Sequence, residues 1–329
     1  MSVAKSIIYN KNHNCFGLCV NAILSREIGE NTDYVWNQAA TVVHKDESMV
    51  YLTPYYESVE DHLKRVANID MYSRCFKDFD SFHHKSVDII GKGKSFIICL
   101  DVFELPFNLY YKNKHSLHFV EVVEIENDEY YICDHFYKYN GAVKKDIINS
   151  ATSSLVNNKL LGCFQIYDFN FDNMDLTSSL DIKYILESNV NANYGRLSKE
   201  TNLFRYEGKC IQIGLYNFED FQNYIRDDAL KFKKNISIIY KNLYGFGSSR
   251  NNYSNYLKRF TLEYPELKEI AASYEIIAQE FKIAANYILR LNFVDLNDSL
   301  MDKIAQRLES AYLLEKQINE SILDVLNDL

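Results

Sequence analysis

Proline and glycine are scarce in this chain, with 3 Pro and 11 Gly among 329 residues. That composition excludes a collagen-like repeat and long flexible linkers. No run of ~18 apolar residues occurs, so no membrane-spanning helix is expected. The opening stretch MSVAKSIIYNKNHNC lacks the apolar core of a secretory signal. Basic residues are outnumbered: 36 Lys and Arg face 45 Asp and Glu, for a net charge of −9. The basic footprint of a nucleic-acid binder is therefore missing overall. No Cys-x-x-Cys pair is present, and the 7 cysteines are scattered and odd in number. Neither a structural zinc site nor a secreted disulfide framework fits that pattern. The expectation is a cytoplasmic protein with no nucleic-acid partner, no membrane partner and no metal.

What is present is a hydrophobic fraction of 47% against 25% charged, with 26 Tyr and 20 Phe. That is enough apolar material to bury a core. Phe16 to Glu27 reads as a helix, because Leu18, Cys19, Ala22 and Ile23 form one stripe and Gly29 suits its end. SFIICLDVFEL (95–105), LHFVEVVEI (117–125), EYYICDHFY (129–137) and FQIYDFNF (164–171) read as strands. Residues 31–90 give few clear signals. Most of 217–329 reads helical. One helix opens at Pro265 with Ile270, Tyr274, Ile277, Phe281 and Ile288 on one face, and another runs from Leu300 to Leu326. The expected fold class is α+β, with an antiparallel sheet in residues 1–172 and a mainly helical domain in 173–329.

Two glycine clusters carry no nucleotide site. GKGKS (91–95) ends like a phosphate-binding loop, but it precedes a strand and Asp88 stands where the first glycine belongs. GFGSS (245–249) is expected to be a loop between helices.

A cysteine nucleophile needs thiolate character, a base, and a group that orients the base. Cys15 stands at the start of the first helix, where the helix dipole favours an anion and its own N–H faces a developing oxyanion. Among the 8 histidines, His118 lies inside a clear strand with Asp134 on the next one. With a three-residue turn at 126–128, Val120 pairs with Asp134 and His118 lies diagonal to it on the same face. A two-residue turn swaps the faces and turns Asp134 away. A lone cysteine at a helix start is nonetheless more often a packing residue. A metal site from His115, His118 and His135 fits worse, because His115 and His135 do not share a face with His118.

These same residues carry a resemblance. NHNCFGLCVNAILSREIG and LDVFELPFNLYYKNKHSLHFVEVVEIENDEYYICDHFYKYNGAV (100–143) resemble the N-terminal domain of butirosin biosynthesis protein H. The resemblance implies a papain-like fold and an acyltransferase. Such an enzyme takes an acyl group from a carrier-protein thioester onto its cysteine and passes it to an amine. Carried over, Cys15 is the nucleophile, His118 the base and Asp134 the orienting acid, with no cofactor. The alternatives are a hydrolase using the same residues and a non-catalytic binding protein. The chain departs from the family in reading Asn14-Cys15 where many members have His-Cys. Tyr9 also occupies the place of a papain-type oxyanion glutamine, which leaves Asn14 as the oxyanion candidate, with Asn12 behind it. The amide-forming kind of enzyme found in closthioamide biosynthesis is a related case, and it implies a diamine acceptor and an aromatic acyl donor. Lys85, Lys92, Lys94, Lys112 and Lys114 are candidates for docking an acidic carrier, against a plainer reading as solvated lysines.

Overall fold

The computed structural model describes residues 6–45, 49–196, 210–227, 229–294 and 298–328. The first five residues of the opening stretch thus lie outside it. In chain order the elements are α1 (Cys15–Ile28), β1 (Val42–Lys45), β2 (Val50–Thr53), α2 (Val59–Ala67), β3 (Asp70–Phe76), α3 (Phe79–Gly91), β4 (Phe96–Asp101), β5 (Leu117–Glu126), β6 (Glu129–Asp134) and β7 (Tyr139–Lys144). They continue with α4 (Lys145–Asn157), β8 (Phe164–Asn170), α5 (Thr177–Leu180), α6 (Ile182–Asn193), β9 (Cys210–Ile213), α7 (Phe218–Asp227), α8 (Ala229–Lys234), α9 (Ile236–Lys258), α10 (Leu267–Arg290) and α11 (Asp298–Asp328).

The chain divides into two units, Met1–Thr32 with Asn68–Met174, and Asp33–Ala67 with Asp175–Leu329. The sequence reading kept 33–67 with the first half. Hydrogen bonding shows why they group with the second. β1 pairs antiparallel with β9 as well as with β2. The Asn189 amide donates to the Asn37 carbonyl at 2.8 Å and accepts from the Ala39 N–H at 2.7 Å. Asn193 does the same one step on, accepting from the Thr41 N–H at 2.9 Å and donating to the Ala39 carbonyl at 3.2 Å. Two helix side chains thereby satisfy backbone groups that a third strand would otherwise take.

The first unit carries a six-stranded antiparallel sheet in the order β3-β8-β4-β5-β6-β7. One face packs on α3 and α4 through Phe82, Ile89, Ile148 and Ala151 against Ile98, Val120, Val122 and Ile132. The other face receives α1: Phe16 rests against Phe119 and Tyr167, and Arg26 pairs with Glu121. This is the α+β, papain-like plan expected. A disulfide that the cysteine pattern did not indicate joins Cys75 in β3 to Cys163, just before β8, with Cα atoms 5.7 Å apart.

The hairpin β5–β6 departs from expectation in its turn. Glu126 pairs with Glu129, leaving only Asn127 and Asp128 in the turn, both in the left-handed region at φ 51° and 59°. Asparagine and aspartate tolerate that conformation better than most residues. By the two-residue rule this turn would send Asp134 to the wrong face. A β-bulge between Val122 and Glu124 reverses the effect, so that Glu121 pairs with Cys133 beyond it. The one extra residue, Val123, resets the alternation of the strand.

In the second unit, Ile270, Tyr274, Ile277, Phe281 and Ile288 of α10 are buried, as are Leu300, Ile304 and Leu308 of α11. GFGSS is not a loop but lies inside α9. The glycine has a packing role there. A Cβ on Gly247 would stand 2.7 Å from the Ala278 carbonyl oxygen, so its absence lets α9 and α10 approach closely.

Candidate functional site

α1 begins at Cys15 because Asn14 caps it: the Asn14 Oδ1 accepts from the Gly17 N–H at 2.8 Å. The oxyanion candidate therefore already has its carbonyl engaged with the helix, leaving only its NH₂ for another role. Cys15 is half-buried at the helix mouth.

His118 is the second residue of β5 and Asp134 the last of β6, and both are buried. The His118 Nε2 lies 2.8 Å from the Asp134 Oδ2. That bond leaves Nδ1 as the ring nitrogen available to Cys15, whose thiol His118 draws down. Asp134 is held in turn by backbone donors: the Phe136 N–H at 3.1 Å and the Tyr137 N–H at 3.0 Å both donate to its Oδ1.

The electrostatics follow from these contacts. Burial pushes the Cys15 thiol up, but the hydrogen bond and charge of His118, with the Phe119 and Phe16 N–H groups, carry it below its ordinary value. Burial works against charge on His118 too, yet its bonds to Asp134 and Cys15 raise it to about 9. Both shifts favour a thiolate–imidazolium pair. Cys19 and Cys99 behave oppositely, since burial pushes both thiols up. They are packing cysteines.

Each of the three histidines once considered together has its own carboxylate. His115 Nδ1 lies 2.7 Å from the Asp101 Oδ2, which also accepts from the Ser154 Oγ at 2.7 Å. His135 Nε2 lies 3.0 Å from the Glu121 Oε2, beside Arg26. Burial and the nearby Arg26 charge lower His135 to about 4. The structure thus brings Cys15, His118 and Asp134 together and gives His115 and His135 separate partners.

One neighbour was not read from the sequence. The Tyr137 ring lies 5.0 Å from that of His118, between centroids. Nothing in its spacing marked it, because it follows the end of β6 in a turn that Asp134 itself organises.

A thiol at a helix start, a histidine on one strand and a carboxylate on the next are the residue types that cysteine-nucleophile sites bring together. Residues 23–135 match the family model for butirosin biosynthesis protein H, N-terminal. Over that segment the chain is similar to the butirosin biosynthesis protein H N-terminal family. The matched segment contains His118 and Asp134 and begins after Cys15. Comparison with the curated proteins gave no match.

Proposed function

We propose that the chain is a cysteine-dependent acyltransferase that moves an acyl group from a carrier-protein thioester to an amine, forming an amide. The family match points to an enzyme of antibiotic-type biosynthesis. The single observation that carries the reading is Cys15 at a helix N-terminus, its thiol drawn down by a His118 that Asp134 holds at 2.8 Å. In this reading the Cys15 thiolate attacks the thioester carbonyl, and the carbon–sulfur bond to the carrier breaks. The departing thiolate takes the proton from His118. The amine then attacks the acyl-Cys15 carbonyl, His118 accepts the amine's proton, and Cys15 leaves as thiolate. The Cys15 N–H is one oxyanion donor. A diamine acceptor and an aromatic acyl donor are part of this proposal.

The carrier is acidic in the proposal, and the lysines of residues 85–114 are its candidate docking points. Lys85 and Lys92 already share Asp88, at 2.7 and 3.0 Å, and Lys112 pairs with Glu104. Lys94 and Lys114 are therefore the stronger pair. A Lys92→Glu/Lys94→Glu/Lys114→Glu variant that reacts with the carrier as the wild type does rules this docking out.

The test is intact-protein mass spectrometry after mixing with acyl thioesters, wild type against Cys15→Ala. An adduct on wild type alone, lost on adding an amine with amide released, supports acyl transfer. Loss of the adduct to water in the presence of amines makes the chain a hydrolase. No adduct from any donor rejects Cys15 as an acyl acceptor.

A further inference from the structure

Asn108 is 5% exposed, and its position is fixed from three sides. Its N–H donates to the Leu105 carbonyl at 2.9 Å, its carbonyl accepts from the Tyr111 N–H at 3.0 Å, and its Oδ1 accepts from the Tyr110 N–H at 2.9 Å. These bonds leave the side-chain NH₂ no freedom to turn elsewhere. Yet Asn108 Nδ2 is buried and has no hydrogen-bond partner among the described residues. A buried donor without an acceptor is costly to keep, and one held in place beside a reactive group calls for a use.

The group acts on the Tyr137 phenol without making a hydrogen bond of normal geometry to it. Tyr137 in turn borders the nucleophile. Its ring lies 5.0 Å from His118, its N–H is tied to Asp134 at 3.0 Å, and its phenol feels charge on Cys15. Two donors, one an amide NH₂ and one a hydroxyl, therefore stand at the edge of the Cys15–His118 pair. Both are positioned by backbone bonds, and the amide lacks an acceptor. A substrate carbonyl oxygen, with two lone pairs and no proton, is the group such a pair receives.

We propose that Asn108 Nδ2 and the Tyr137 hydroxyl donate hydrogen bonds to a carbonyl oxygen of the substrate held at Cys15. The inference rests on the reading of Cys15 as the nucleophile and narrows the substrate to one that presents a carbonyl there. It also supplies a side-chain donor besides the Asn14 NH₂, which the α1 cap leaves unengaged.

The test compares two reactions of Cys15 in the full chain. One is acylation by acyl thioesters, followed by intact mass. The other is reaction with 2,2′-dipyridyl disulfide, which has no carbonyl. Tyr137→Phe keeps the ring on His118 and removes only the hydroxyl. Asn108→Leu keeps the side-chain volume and removes the donor, and thermal melting shows whether it is folded. The expected result is acylation slowed ~10-fold or more in each variant, with the disulfide reaction within about twofold of wild type. Acylation at the wild-type rate in Tyr137→Phe and in folded Asn108→Leu overturns the inference while leaving the Cys15 reading intact. Equal slowing of both reactions also overturns it, because the pair would then act on the thiol. A wild type that takes no acyl group from any thioester overturns the underlying reading and this inference with it. If Asn108→Leu does not fold, Tyr137→Phe decides alone.

Discussion

Asp134 holds His118 with one carboxylate oxygen, at 2.8 Å, and its own turn with the other. The same residue thus fixes the imidazole and the backbone that follows β6. Replacing it with asparagine removes the charge that raises His118. Asp134→Asn is expected to lose roughly 10²–10⁴-fold in acylation rate, as when the orienting acid of a triad is neutralised. Its thiol should also titrate higher than in wild type, measured by thiolate absorbance across pH.

The pH dependence has a defined sign. The Cys15 pKa lies below that of an ordinary thiol, and His118 is raised to about 9. As pH rises through the Cys15 value the thiol ionises beside an already protonated His118, and alkylation by iodoacetamide speeds up earlier than for a free cysteine. As pH rises further through about 9, His118 loses the proton that the leaving thiolate needs. Acyl transfer is expected to fall there while alkylation does not. Coincident profiles for the two reactions would contradict this assignment of roles.

Gly247 gives a stability test with opposed local and tertiary terms. In a free helix, alanine is favoured over glycine by ~1 kcal/mol. In α9 the added Cβ would stand 2.7 Å from the Ala278 oxygen. Overpacking of that kind costs about 1–3 kcal/mol and should win. Gly247→Ala is expected to lower the melting temperature, followed by circular dichroism, and Gly245→Ala, where nothing lies within 4 Å, to leave it level or raise it.

Arg250 and Glu315 are both fully buried, and Arg250 Nε donates to the Glu315 Oε1 at 2.6 Å. Arg250 also reaches the Ala40 carbonyl at 3.0 Å and the Thr41 hydroxyl at 3.3 Å, and covers the Phe246 ring. Burial raises the Glu315 pKa, and Arg250 opposes that rise. Arg250→Ala leaves the carboxyl buried alone and should destabilise the second unit by about 3–5 kcal/mol. Arg250→Met/Glu315→Leu should recover part of that loss in urea melts. A double variant as unstable as the single would mean that the bonds to Ala40 and Thr41, not the ion pair, dominate.

The long apolar stripes of α10 and α11 were legible because many residues repeat one signal at one period. The buried strands β4 and β5 were legible for the same reason. β3 was not: its sequence DMYSRCF buries only Met71 fully, so its pattern resembles a loop. β1 and β2 are four residues each, too short for alternation to register. GFGSS misled because glycine usually marks a break, whereas here one glycine serves close helix packing. In the site, the approach of His118 to Asp134 was read correctly through a turn that was read wrongly. The bulge at Val123 leaves a mark in LHFVEVVEI that the reading passed over: the alternation Val120-Glu121-Val122 restarts out of phase as Val123-Glu124-Ile125. Tyr137 and Asn108 were invisible for a further reason. What distinguishes them is an unmet donor and a ring contact, and neither exists until the chain is folded.

The bulge at Val123 bears on how related chains are read. A histidine and an acid across a hairpin meet or miss according to whether the count between them is odd or even. With a regular two-residue turn, a chain one residue shorter would keep the same two side chains facing each other and need no bulge. At the present length and with that turn, one extra residue must be absorbed in a strand between them. Spacing between such a pair is therefore a diagnostic of hidden strand geometry, and aligners that penalise a one-residue gap in β5 would separate proteins whose sites superpose.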